Sequence, residues 1–445
     1  MNQKQSVANG TTSMLEKLAY AIGDGGVNFI WTFSGSFLAY YYTESVLLSA
    51  AFIGTMMLIC RIFDGLSDIV MGVIIEKTHT KIGKARPWFG LSIIPLAILF
   101  NLVYRVPSGF SASGKTIYAA VTYFAMTVIV YTANNLSFHA MLSRISLDKD
   151  DRNKISSIRG IFAVVCGLAT IILTNALLAT HGGEASQNAW NYVVNLNTVI
   201  FLVCQIFCFF VTKEKINCME EKEEQKEETS VLPMIKQMLH TKYFYIIILV
   251  FISMYCMSNI GIGIYYARDV LGNAGLYSTI AVVVVIPQIV VMPFLPALFK
   301  KYGKQKVMLL SSGIDLIVTL MPLVSPRSVS LIMASNAIGS VAKAPFTAAV
   351  FTLAPDLIDY MGEKTGERVE GIATAATSFG MKLGTGLGAA LLGWVLAWGH
   401  YDATLATQSS TAITAEIMLM FVAPAAMELI RFLCIRKWDI DRDKA

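Results

Sequence analysis

Val46-Leu-Leu-Ser-Ala50-Ala-Phe-Ile-Gly-Thr55-Met-Met-Leu-Ile-Cys60-Arg61-Ile-Phe-Asp64-Gly-Leu-Ser67-Asp68-Ile-Val-Met-Gly72 decides the reading of this chain. The run is apolar and exceeds the roughly 20 residues that a helix needs to cross a bilayer. Yet it carries three charges. Asp64 and Asp68 are four apart and stack on one helical face, with Arg61 one turn earlier on that face. A charge at the bilayer centre costs roughly 2.5–3.5 kcal/mol on translocon scales. Three within two turns imply a wet cavity, an ion or mutual pairing. One reading is a structural ion pair within a helix bundle. The other is a cation site, since two carboxylates facing one guanidinium attract a small cation or a proton.

The rest of the chain repeats this apolar character. Of 445 residues, 55% are hydrophobic and 15% charged, and the mean hydropathy is +0.59. The hydrophobicity comes in long blocks, which indicates a polytopic helical membrane protein; a β-barrel would show short alternating segments. Apolar runs lie near 18–42, 46–72, 88–107, 116–141, 158–180 and 192–212. The acidic and basic stretch Glu220-Glu-Lys-Glu-Glu-Gln-Lys-Glu-Glu228 interrupts them as a solvated linker. They resume near 242–266, 276–299, 306–324, 328–354, 370–399 and 412–434. About twelve spans result, in a first half over 1–212 and a second over 241–435. A linker over 213–240 joins them and a tail over 436–445 completes the chain.

Lys and Arg crowd the even-numbered connections, as in Lys77, Lys81, Lys84 and Arg86, or Lys300, Lys301, Lys304 and Lys306. The tail, counted from Arg431, agrees. The positive-inside bias then places both termini, the linker and the even loops in the cytoplasm. The polar start lacks an adjacent apolar segment with a cleavage site, so the first span acts as its own insertion signal. Lys81-Ile-Gly83-Lys84 after the second span is echoed by Lys301-Tyr-Gly303-Lys304 after the eighth, about half a chain later. Parallel duplication of this kind builds major facilitator transporters, with the binding site at midplane between the halves.

Further polar residues interrupt the spans. Asp24 and Asn28 share a face in the first span, and Trp31 is a candidate for stacking on a sugar. Tyr131-Thr132-Ala-Asn134-Asn135 places a hydroxyl and two amides deep in the fourth, with His139 one turn on. Arg159 opens the fifth span, with snorkelling to headgroups as its alternative. Lys382 lies deep in the eleventh, near Ser378, amid glycines that read as tight packing; Asp64, Asp68 or Asp24 could pair with it. Lys343 in the tenth span has no obvious partner. Tyr40, Tyr41 and Tyr42 read as interface anchors. Cys204 and Cys208 share a helix face, but as small apolar filler rather than a metal site. There is no HExxH, GxSxG or metal-type Cys/His cluster, so the chain does not read as an enzyme.

Taken in order, Tyr20-Ala-Ile-Gly23-Asp24-Gly-Gly-Val-Asn28, Tyr41-Tyr42-Thr43-Glu44, Arg61-Ile-Phe-Asp64-Gly-Leu-Ser-Asp68, Gly83-Lys84-Ala-Arg86-Pro87-Trp88, Leu147-Asp148-Lys149 and Pro355-Asp356-Leu-Ile-Asp359-Tyr360 resemble the signature of the glycoside–pentoside–hexuronide:cation symporter family. The resemblance runs through essentially the whole chain. It implies an all-α membrane protein with twelve transmembrane helices in the major facilitator fold, working as a monomer in the cytoplasmic (inner) membrane. Its partners would be a glycoside-type solute, a coupling cation and the bilayer, with no nucleic acid and no cofactor. Asp64, Asp68 and Thr132 match the cation site and would hold Na+ if that is the coupling metal; H+ is the other candidate. Lys382 matches a lysine near that site. Asn28, Asn135, Arg159 and Ser378 fall at or beside sugar-contacting positions, with Asp24, Trp31 and His139 around them. Asp356, Asp359 and Arg368 match inner-gate charges, and Arg61 a pairing or gating helper.

Departures bear on the solute. The family's melibiose-transporting members carry carboxylates at the positions of Asn28 and Asn135, and a tryptophan at that of His139. Amides can still bind hydroxyls, by donating as well as accepting. This argues against an α-galactoside and leaves a uronide, a pentoside or another anionic or neutral glycoside. Ser67, between the aspartates, leaves the ion open. The competing readings are a proton-driven carrier of an amphipathic or anionic small molecule, such as a lysolipid or steroid-like conjugate, and a transporter-like sensor.

Overall fold

The computed structural model describes residues 12–146, 148–215, 241–365, 370–405 and 407–440, with the side chains of 149, 150, 364, 365, 370–372 and 374 left aside. Arg368 and most of the charged linker lie outside these residues. Among the described residues the chain is all-helical, apart from one isolated bridge between Thr80 and Gly83. Among the described residues ten helices are long and apolar enough to cross a membrane, including Arg86–Val103, Ala112–Ile145, Gln187–Val211 and Lys304–Val324.

The chain divides into two compact units, one of Met1–Leu48 with Cys60–Gln225 and the other of Ser49–Ile59 with Lys226–Ala445. In the first, the helix Met14–Glu44 packs against Lys149–Thr180 and Gln187–Val211. It begins at a capping box: Glu16 donates its amide to the Ser13 hydroxyl at 3.2 Å, and Ser13 returns its own amide to the Glu16 carboxylate at 2.8 Å. Small residues bring the helices together. A Cβ at Gly23 would lie 2.7 Å from the Cys208 sulfur, and one at Gly26 would lie 2.5 Å from the Cys204 Cβ. These cysteines are packing partners of glycine, as their apolar setting suggests.

Tyr40, Tyr41 and Tyr42 do not anchor the chain at an interface. All three are fully buried. Tyr41 packs edge-on against Trp190, 5.3 Å between ring centroids, and its hydroxyl donates to Gln187 Oε1 at 3.0 Å. The rings close the end of the first unit from within, because Trp190, Tyr104 and Phe33 supply an aromatic cluster for them.

The loop Lys81-Ile-Gly83-Lys84 is held by Glu214. Its carboxylate accepts the amides of Lys84 at 3.1 Å, Ala85 at 2.9 Å and Arg86 at 2.7 Å, at the start of the helix Arg86–Val103. Arg144 adds a charged contact at 2.8 Å. An acidic group on exposed helical N–H groups complements the helix dipole. Gly83 allows it with φ of 124°, and Gly303, its counterpart in the repeat, has φ of 81°. The repeated glycine therefore marks a positive-φ turn in both units.

In the second unit, Lys242–Ser258 packs along Glu370–Trp398 and against Ala423–Arg436. Gly380, Gly384 and Gly388 make the first approach possible. A Cβ at Gly384 would lie 2.5 Å from the Ile252 carbonyl oxygen and 3.0 Å from its Cα, with backbone in the way. The glycine spacing reads correctly from sequence as close packing.

Gly384→Val is expected to lower thermal stability in detergent, by the roughly 1–3 kcal/mol typical of overpacking. Gly72→Val is the control, since nothing lies within 4 Å of a Cβ there. Equal melting temperatures for the two variants would contradict this packing.

Candidate functional site

Asp64 sits on the helix Ala50–Lys77 and is only 7% exposed. Thr132, 3% exposed, donates its hydroxyl to Asp64 Oδ1 at 2.8 Å. Ser67, the next turn's hydroxyl, lies 3.1 Å from the Thr132 oxygen and 3.0 Å from the Asp64 carbonyl oxygen. Arg61 Nη1 approaches Asp64 Oδ2 at 3.6 Å, beyond hydrogen-bond range, with its side chain 11% exposed. Of these two contacts the hydroxyl is the closer and the guanidinium the looser. Asp68 is half-buried one turn further along the same helix.

Thr132 reaches Asp64 from a helix that changes pitch. Ala125–Tyr131 is π-helical and Thr132 is the first residue of the α-helix beyond it. The Thr132 hydroxyl oxygen also lies 3.3 Å from the Thr127 carbonyl, five residues back. Single π turns recur at functional sites, where the wide turn re-aims the side chains beyond it. Nothing in Ala-Met-Thr-Val-Ile-Val-Tyr announces that turn, so the sequence offers Thr132 as a candidate without the reason for its aim.

An aromatic wall flanks the pair. The Arg61 guanidinium lies 4.3 Å from the centroid of Trp31. Trp31 stacks on Tyr131 at 4.5 Å with an interplanar angle of 17°. Asn135 Nδ2 donates to the Tyr131 hydroxyl at 3.2 Å. Trp31, proposed from sequence as a platform for sugar, is thus engaged with two neighbours of its own unit. Asn134, fully buried, donates to Ser92 Oγ at 3.1 Å and approaches Gln205 Oε1 at 3.4 Å. Of the two consecutive asparagines, one ties helices together and the other faces the aromatic wall.

A second group joins the helices Met14–Glu44 and Thr132–Ile145 to Lys149–Thr180. Arg159 lies 3.9 Å from Asp24 Oδ2 and donates to His139 Nδ1 at 2.8 Å. Arginine only donates, so Nδ1 is the acceptor nitrogen of the imidazole. Arg159 therefore has internal partners, against the snorkelling alternative. Asn28 donates to the Asp24 carbonyl at 2.9 Å and its own oxygen lies 3.4 Å from the Thr32 hydroxyl.

The remaining candidates belong to the second unit. Ser378, exposed, and Lys382, half-buried, lie on the helix Glu370–Trp398. Asp356 pairs with Lys304, whose ammonium also donates to Thr352 Oγ1 at 3.1 Å. Asp359 is exposed on the same short helix as Asp356.

Sequence reasoning missed a buried charged group in this unit. Lys343 has a partner after all: Asp315 Oδ1 lies 3.6 Å away. Arg431 is not part of the cytoplasmic tail. It is 3% exposed, ion-paired with Glu428 and 3.7 Å from Asp315. The available signal was Asp315 inside the run 306–324 and the i,i+3 pair Glu428/Arg431 inside 412–434. Counting Arg431 with the tail hid the second.

Among the described residues, no three His, Cys, Asp or Glu side chains cluster in a manner that would hold a metal. A cation at Asp64 would rely on carboxylate, hydroxyl and carbonyl oxygens, the donor type that hard cations take.

Residues 19–442 match the sequence family described as MFS/sugar transport protein. The chain belongs to that family. It is a sugar-type symporter of the major facilitator superfamily, a multi-pass membrane protein and not an enzyme. It is 30% identical over 438 residues to an uncharacterized symporter of Bacillus subtilis (strain 168), covering 97% of this chain and 93% of the relative. It is 28% identical over 406 residues to the isoprimeverose transporter of Lactiplantibacillus pentosus, covering 90% and 83%. The fold is similar to that of a D-xylose–proton symporter, with a TM-score of 0.65 at 15% identity over 96% of this chain and 98% of that one. This MFS/sugar transport family chain therefore shares the major facilitator fold, in keeping with its repeated glycine turn and long apolar blocks.

Thr132→Val keeps the shape at Asp64 and removes its short donor. The expected cost is about 1.5–3 kcal/mol for losing a hydrogen bond to a charged group, with Thr132→Ser close to the native protein. Thermal unfolding of the purified variants checks this, and a melting temperature for Thr132→Val equal to that of Thr132→Ser would contradict it.

Proposed function

We propose that the protein imports a glycoside, pentoside or hexuronide by cation-coupled symport, with Asp64, Asp68 and Thr132 as the cation site. The observation that carries this reading is the Asp64 carboxylate itself. It is buried in a helix that has the length to span a bilayer, with a hydroxyl at 2.8 Å and the Arg61 guanidinium held off at 3.6 Å. A buried carboxylate whose guanidinium stands beyond hydrogen-bond range is stabilised further by a small cation or a proton.

Twelve spans result if Met14–Glu44 and Ala50–Lys77, of 31 and 28 residues, cross the membrane beside the ten apolar helices. The halves would be 1–212 and 241–435, joined by the linker 213–240, with both termini cytoplasmic in the inner membrane. Asn28, Trp31, Asn135, Ser378 and Lys382 would contact the solute. Arg159, His139 and Asp24 would form a neighbouring polar group, and Asp356, Asp359 and Arg368 would serve the inner gate. Transport would proceed by alternating access. A filled cation site favours the state that binds solute well, so coupling is a difference in affinity between states. Na+ and H+ both suit an oxygen-lined site with two carboxylates.

Asp64→Asn should abolish accumulation of solute driven by a Na+ or H+ gradient while leaving expression and melting temperature near native. Uptake of a panel of labelled glycosides into membrane vesicles with imposed gradients checks this. Undiminished accumulation by the variant would remove Asp64 from the cation site, and flux indifferent to both gradients would make the protein a uniporter.

A further inference from the structure

The second unit contains a cavity of about 480 Å³ whose lining includes Met254, Gln288, Asn336, Asp315, Lys343 and Arg431. Three different helices bring the charges to it. Asp315 comes from Lys304–Leu320, Lys343 from Val329–Ala349 and Arg431 from Ala423–Arg436. The volume lies within the roughly 300–1,000 Å³ of small-molecule sites.

The two cations are held very differently. Arg431 is 3% exposed, ion-paired with Glu428, and has its guanidinium 4.6 Å from the Phe346 ring centroid. Its Nη2 also lies 3.8 Å from the Met257 sulfur. It is locked on several sides. Lys343 is 30% exposed, and its ion pair to Asp315 spans 3.6 Å. That is longer than the roughly 2.7–2.9 Å of a charge-assisted hydrogen bond.

Asp315 is 1% exposed, and its distances to Lys343 and Arg431 are 3.6 and 3.7 Å. Neither of its oxygens has a hydrogen-bond partner among the described residues. Gly339 leaves room beside it, since a Cβ there would stand 3.3 Å from Asp315 Oδ1. So a buried carboxylate lies between a fixed cation and an accessible one, bonded closely to neither. If Lys343 turned to another anion, Asp315 would still face Arg431 and would not be stranded.

We propose that this cavity is a subsite for the acidic group of the transported solute, a carboxylate or sulfonate on a sugar, gripped by Lys343 in exchange for Asp315. The proposal rests on the symport reading above. Gln288 and Asn336 supply amides, which donate to and accept from sugar hydroxyls. The ammonium supplies the charge. A neutral glycoside offers Lys343 nothing better than Asp315, so the exchange selects acidic solutes.

The test is uptake into proteoliposomes of methyl glucuronide, a 6-sulfonated glucoside and methyl glucoside, with Asp64→Asn run in parallel. The native protein should favour the acidic solutes. Lys343→Gln should raise their KM by roughly tenfold or more and leave methyl glucoside within about twofold. Lys343→Arg should retain the preference. Asp315→Asn, which removes the competing carboxylate and keeps its shape, should tighten binding of methyl glucuronide measured by calorimetry on purified protein. A response of one acidic solute alone assigns the site to that chemistry. Equal losses for acidic and neutral solutes in Lys343→Gln, or weaker binding in Asp315→Asn, would overturn the subsite. If methyl glucoside still accumulates with a gradient and loses that in Asp64→Asn, the symport reading survives this failure. Absence of flux for every solute would remove both.

Discussion

A carboxylate buried in a long, mostly apolar helix must be compensated, and the surroundings of Asp64 are built on that requirement. The Thr132 hydroxyl meets it with a short hydrogen bond of 2.8 Å. That contact depends on the π-helical segment Ala125–Tyr131, whose wide turn immediately precedes Thr132. The guanidinium of Arg61 leans on Trp31 and lies 3.6 Å from the carboxylate. Trp31 is in turn stacked on Tyr131, which receives Asn135. One buried charge thus orders side chains from three helices. A tightly bidentate arginine would have satisfied Asp64 permanently. The looser approach of Arg61 is what the proposed cation site draws on.

The second unit handles buried charge in the opposite way. Asp315, Glu428, Lys343 and Arg431 supply two charges of each sign, and three of these side chains are almost fully buried. Isolated burial of any one would be strongly unfavourable, whereas a mutually paired set is tolerated. Within that set Lys343 is the accessible member. Asp64 in the first unit and Lys343 in the second therefore share one property: each has an oppositely charged neighbour that stands beyond close hydrogen-bond range. In a symporter, such groups are suited to exchange partners as cargo enters and leaves.

The same physics determines how much of this is legible in the sequence. Asp64, Asp68 and Lys382 are visible because a charge within a long apolar run has few innocent explanations. The fold is visible because apolar blocks, loop charges and the duplicated Lys-x-Gly-Lys loop agree. The glycine of that loop has a positive φ in both copies. The errors arise where two environments share a composition. Tyr40 to Tyr42 at a helix end look like interface anchors, but their burial depends on Trp190 and Tyr104, distant in sequence. Arg431 lies near the end of the last span, where a cytoplasmic arginine is ordinary, and only tertiary packing reveals Asp315 beside it. The π segment has no sequence mark at all, although it sets the aim of Thr132.

The central claim is that a cation at Asp64 and the solute stabilise the same state. Linkage makes this measurable on purified protein, because each ligand must then raise the affinity of the other by the same factor. Calorimetric titration of a transported glycoside, with and without Na+ and at stepped pH, is the most direct test. The account predicts that one of these cations tightens glycoside binding, that the glycoside tightens that cation equally, and that both effects vanish in Asp64→Asn. Glycoside affinity independent of Na+ and of pH, or coupling that persists in Asp64→Asn, would contradict it.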